Sequence, residues 1–143
     1  MQDGARFFAY STWALMISLG IIIFTHPFFQ FIEQSLITLI TIPLAFAFLY
    51  FNLNHVAIKR FIRKVPAPTN LHILLAFLIL LPPLLWIIVM NKPYGYEDIL
   101  LILLLITATI IGTLSGNKSG IKARYEYIQQ VKKMQSMSST KGN

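Results

Sequence analysis

Four apolar runs divide the chain, at 7–24, 35–53, 71–90 and 99–115, and none of them contains Asp, Glu, Lys or Arg. Each is close to the ~20 residues that span a hydrocarbon core of ~30 Å at ~1.5 Å rise per residue. The pattern predicts an all-α integral membrane protein with four transmembrane helices. The intervening segments are short, so consecutive helices run antiparallel.

Threading the chain through the membrane sorts its basic residues. Arg6, then Lys59, Arg60, Arg63 and Lys64, then Lys118, Lys122, Arg124, Lys132, Lys133 and Lys141 fall on one face, and only Lys92 falls on the other. Basic residues near transmembrane ends are retained in the cytoplasm, which predicts both termini inside and a cell-membrane location. The first run is expected to be retained and not cleaved. Its basic flank is the single Arg6, and Thr25-His26-Pro27-Phe28-Phe29 stands where small cleavage-site residues would be required.

The expected organisation is a four-helix domain at 1–117 and a basic cytoplasmic tail at 118–143. In the tail Ile121, Tyr125, Ile128 and Val131 form one stripe, with Lys122, Lys132 and Lys133 largely off it. That pattern predicts a short amphipathic helix to about residue 135, lying on the membrane or pairing with a partner helix. The Ser-rich end at 136–143 is expected to be disordered. The inner loop at 56–70 repeats the pattern, with Ile58, Phe61, Ile62 and Val65 alternating with Lys59, Arg60, Arg63 and Lys64. It too is read as a membrane-surface segment, stopped by Pro66 and Pro68, with Thr69 or Asn70 capping the third helix. Lys59, Arg60, Arg63, Lys64, Lys122, Arg124, Lys132 and Lys133 are the expected contacts to anionic inner-leaflet headgroups.

Within the runs, three features point to packing. Ala14 and Ser18 share a face of helix one and permit close helix approach. Ala108, Gly112 and Gly116, at four-residue intervals, form a groove in helix four, although Gly116 also falls where a helix end is expected. Proline supplies the third feature. Pro43 removes the donor for the Leu39 carbonyl, with Thr38 and Thr41 close enough to compensate. Pro82 and Pro83 remove the donors for Leu78 and Ile79, with no Ser or Thr nearby on the same helix. A bend or break is expected at each site, and a neighbouring helix or water must serve the freed carbonyls.

The outer loops carry aromatic groups. Phe28, Phe29 and Phe31 in the segment 25–34 are expected to dip into the outer leaflet or to contact another membrane protein. Tyr94 and Tyr96 flank Gly95 in a turn, and Glu97 with Asp98 suits the first turn of helix four.

Composition then narrows the chemistry. The 143 residues are 56% hydrophobic and 12% charged, too apolar to coat a water-soluble core. The absence of Cys removes thiol redox chemistry, disulfides and thiolate metal sites, including those of a disulfide oxidoreductase. His26 and Glu33 supply at most two ligands, so no metal or cofactor is expected. No HExxH, P-loop, GxSxG or Ser/His/Asp set is present, and no enzymatic activity is expected. The net charge of +7 is explained by the positive-inside bias, and no nucleic-acid recognition motif accompanies it. Ion-coupled transporters hold an ionisable group within the membrane, which these runs lack. By elimination the sequence favours an accessory, assembly or regulatory subunit that contacts another membrane protein or itself. The alternative is a small facilitator or channel using backbone carbonyls at the proline sites.

Overall fold

In a computed structural model the chain is all-helical. The structure describes residues 2–30, 35–65, 70–90 and 96–140, and the side chains of 4–30, 35–65, 70–90 and 96–137. Four helices follow one another: α1 Gln2–Phe29, α2 Leu36–Lys64, α3 Leu71–Met90 and α4 Tyr96–Thr140. All four are long and apolar enough to cross a membrane. Their outward faces carry Ile23, Phe24, Ile37, Phe48, Phe77 and Leu103, each more than half exposed, which suits lipid and not water.

Three helices are longer than their apolar runs. α2 continues without interruption through Asn54 and His55 to Lys64. Residues 56–64 of the segment expected to be a membrane-surface link are therefore the last part of α2. Its apolar face, Ile58, Phe61, Ile62 and Val65, is buried in the bundle, and its basic residues are exposed. The alternating pattern was real, but its apolar side packs on protein. Asn54, one residue past the apolar run, is completely buried.

α4 likewise shows no break at Ser119-Gly120 and extends over 45 residues, about 68 Å at the α-helical rise. The tail is the continuation of the fourth transmembrane helix, and helix persists through Thr140, past the residue-135 boundary and into the stretch expected to be disordered. Residues 141–143 lie outside the described residues. Gly116 does not end the helix. It is buried, as is Gly120, because both seat the α2 backbone.

At its far end, α1 runs through Pro27 to Phe29. Phe28 and Phe29 therefore belong to the helix and not to a loop, while Phe31 and Glu33 lie outside the described residues, as do Lys92 and Tyr94. α2 begins with a capping box in which the Ser35 hydroxyl accepts from the Thr38 amide and the Thr38 hydroxyl accepts from the Ser35 amide. Thr38 is thus engaged at the helix start and not at Pro43, and Thr41 is exposed. α3 starts after Asn70, whose carbonyl accepts from Ile73 and Leu74; Thr69 is outside the described residues. Glu97 and Asp98 lie in the first turn of α4, as expected of acidic groups at a helix N-terminus.

Candidate functional site

The closest helix contact is between α2 and α4. A Cβ added to Gly112 would lie 2.7 Å from the Phe51 carbonyl oxygen, and one added to Gly116 would lie 2.7 Å from that of His55. At Gly120 it would meet the Ile62 Cβ at 2.8 Å. These distances are below real Cβ contacts, so only glycine permits this approach. The buried stripe of α4 is Leu101, Leu105, Thr109, Gly112, Gly116 and Gly120; Ala108, named from the sequence, is only half-buried beside it.

Polar groups in the interior join helices to one another. The Ser18 hydroxyl of α1 donates to the Ile79 carbonyl of α3 at 3.2 Å. That carbonyl is the one Pro83 deprives of its helical donor, so a neighbouring helix supplies the replacement. The Tyr50 hydroxyl of α2 lies 2.8 Å from the Ser18 Oγ and donates to the Ser18 carbonyl at 3.1 Å. With Ser18 donating to Ile79, the Tyr50 proton is shared between the hydroxyl and the carbonyl of Ser18. One node ties three helices at a proline site. α3 stays helical across Pro82 and Pro83, and α2 across Pro43.

Between α2 and α4, the Asn54 amide donates to the Tyr50 carbonyl at 2.9 Å and approaches the Thr109 hydroxyl at 3.5 Å. The His55 Nδ1 lies 3.1 Å from the Ser115 hydroxyl. The Asn54 Oδ1 is buried and accepts no hydrogen bond among the described residues. Ser18, Tyr50, Asn54 and Thr109 were not singled out in the sequence as a polar network, because their partners lie 32 to 61 residues away.

The end of the bundle where α1 and α3 close is an aromatic cluster. Phe29 meets Phe46 and Trp86 edge-on at centroid distances of 5.2 and 5.0 Å, and His26 meets Trp86 at 5.8 Å. Phe29 is therefore engaged within its own bundle and is not available as a docking group. Phe28 is half-exposed and pairs with Phe24.

The end of the bundle where α1 begins and α2 closes is basic. Arg6 of α1 donates to the Lys64 carbonyl at 2.9 Å, and Arg124 of α4 to the Val65 carbonyl at 3.2 Å. Both serve carbonyls at the end of α2 that no further helical turn can reach. Arg60 lies 5.4 Å from the centre of the Trp13 ring, and the Lys64 Nζ 6.0 Å from that of Tyr10. Between α1 and α2 these side chains, with Arg63, border a hollow of about 750 Å³. Lys59, Lys122, Lys132 and Lys133 are exposed on α2 and α4, away from its lining. A separate apolar cleft of about 400 Å³ lies between α3 and α4, walled by Phe77, Leu80, Leu84, Ile106 and Ile110 among others.

Among the described residues, no group of three or more His, Asp or Glu comes together in a way that would hold a metal ion. No protein-family model, curated protein or solved structure matches this chain. The four helices among the described residues that are long and apolar enough to cross a membrane suggest a class: a multi-pass membrane protein.

Proposed function

We propose that the chain is a non-catalytic accessory, assembly or regulatory subunit of a larger membrane complex, set in a cell membrane with both termini in the cytoplasm. The observation that carries this reading is the part of α4 beyond Gly120. There the helix has left the α2 groove, and Ile121, Tyr125 and Ile128 stand exposed at i, i+4 and i+7. An apolar stripe on a helix is stable in water when a partner covers it. The inner basic end, with Arg6, Lys64 and Arg124 gathered around the end of α2, agrees with the eleven-to-one division of basic residues and with N-in/C-in orientation.

The interior favours contact over conduction. Ser18, Tyr50, His55 and Ser115 are engaged in holding helices together, and the Ile79 carbonyl is taken up by Ser18. The cleft between α3 and α4 is lined almost wholly by apolar groups, which offer an ion no coordination.

The test is purification of the tagged full chain in mild detergent beside a variant carrying Ile121→Ser, Tyr125→Ser and Ile128→Ser. The expected result is a stoichiometric membrane protein recovered with the native chain and lost with the variant, while both chains insert equally. If neither chain brings down a partner or self-associates, and the purified chain alone gives saturable ion or solute flux in liposomes, the facilitator reading replaces this one.

A further inference from the structure

The basic hollow at the inner ends of α1 and α2 is more than a band of surface charge. Arg60, Arg63 and Lys64 follow one another at i, i+3 and i+4 on α2, which places them on one face of the helix. Arg6 closes the hollow from α1. Like charges at this spacing repel, and no carboxylate among the described side chains pairs with any of the four. Sequence periodicity would account for one such pair on a solvated face; it does not account for a fourth cation brought in from another helix.

The side chains are also held in place. Arg6 is fixed by its bond to the Lys64 carbonyl, which engages one Nη1 donor, and the rest of the guanidinium fork has no hydrogen-bond partner among the described residues. Arg60 is stacked over Trp13 and Lys64 lies over Tyr10. Arg63 has no such anchor among the described residues and borders the same hollow. A second, adjoining hollow of about 370 Å³ shares Arg6, Arg63 and Lys64 and is closed by Tyr127 from α4. Its phenol adds a neutral donor beside three cations. The carbonyl end of α2 would repel an anion, but Arg6 and Arg124 already cover the Lys64 and Val65 oxygens.

We propose that this double hollow is a binding site for a phosphate-bearing anion with more than one negative charge, supplied by a phospholipid headgroup or a soluble phosphate compound. Arginine forks match phosphate oxygens two at a time, and a phosphomonoester carries about −1.5 to −2 charges near neutral pH. Three shared cations are more than a single carboxylate or a zwitterionic headgroup requires. The space exceeds that of one phosphate, so the group it is attached to has room beside Tyr10 and Trp13, rings of the kind that settle at headgroup depth.

The test is native mass spectrometry of the full chain in mild detergent, titrated with phosphatidic acid, with phosphatidylserine and with inorganic pyrophosphate. The expected result is one phosphatidic acid retained per chain with about tenfold preference over phosphatidylserine. Arg63→Gln with Lys64→Gln should weaken retention by about tenfold or more, while Lys132→Gln with Lys133→Gln should change it less than about twofold. The first of these variants gives up the approach of Lys64 to the Tyr10 ring, and its circular-dichroism melt verifies that it is folded. Displacement of the lipid by pyrophosphate at similar concentration identifies a soluble phosphate compound as the ligand; failure to displace it identifies the lipid. The proposal is overturned if both lipids bind alike, if the two double variants lose retention equally, or if an acidic peptide of equal charge competes as well as pyrophosphate.

Discussion

Ser18 shows how one hydroxyl settles a cost imposed 61 residues away. Pro83 leaves the Ile79 carbonyl without its helical donor, and in a hydrocarbon setting an unserved carbonyl is expensive. Ser18 supplies a donor from α1 and takes the Tyr50 hydroxyl from α2. Interhelical hydrogen bonds in membranes are worth roughly 0.6–2 kcal/mol. Ser18→Ala should therefore lower the unfolding free energy in mixed micelles by about that amount. The cost should shrink when Pro83→Ala restores the amide N–H for Ile79. An undiminished cost in the double variant would mean that Ser18 acts through packing alone. The orphaned carbonyl was legible in the sequence, since proline chemistry is local. Its partner was not: Ser18 reads as a small packing residue, and only the fold brings it to α3.

At the scale of elements, α2 and α4 make the main seam, and glycine sets its depth. The spacing of Gly112 and Gly116 was legible because small residues four apart leave a groove wherever a helix packs. The phase was only partly legible. Thr109 and Gly120 complete the buried stripe, and Ala108 sits beside it, because the seam follows the drift of 3.6 residues per turn and not a strict four. Gly112→Ala would place a methyl carbon 2.7 Å from the Phe51 oxygen. Overpacking of this kind costs typically ~1–3 kcal/mol, and thermal melting of the detergent-solubilised chain should fall accordingly. Leu103→Ala, on the exposed face, should leave the melt nearly unchanged. Equal behaviour of the two would remove the glycine seam as the source of helix pairing. The inner half of α2 illustrates the converse. Its apolar and basic faces were plain in the sequence, but the pattern does not say whether lipid or protein covers the apolar one. The answer lies in Gly120 receiving Ile62 and in Phe7 and Tyr10 meeting Phe61 edge-on at 6.0 Å.

For the whole molecule, sidedness governs everything proposed. The contact surface beyond Gly120 and the phosphate hollow lie at one end, with the aromatic cluster of His26, Phe29, Phe46 and Trp86 at the other. The number of helices and the gathering of basic residues were readable from hydropathy and charge alone. The length of α4 was not, because Gly116 falls where a helix end is expected until α2 is seen to need a small residue there. The absence of cysteine makes the decisive measurement direct. Single cysteines placed as Tyr96→Cys and Tyr127→Cys, both at exposed positions, report which side of the membrane each end of α4 occupies. In intact cells a membrane-impermeant maleimide should label Tyr96→Cys at once and Tyr127→Cys only after permeabilisation. Labelling of Tyr127→Cys from outside, with Tyr96→Cys protected, would invert the orientation and contradict the account of a cytoplasmic contact helix.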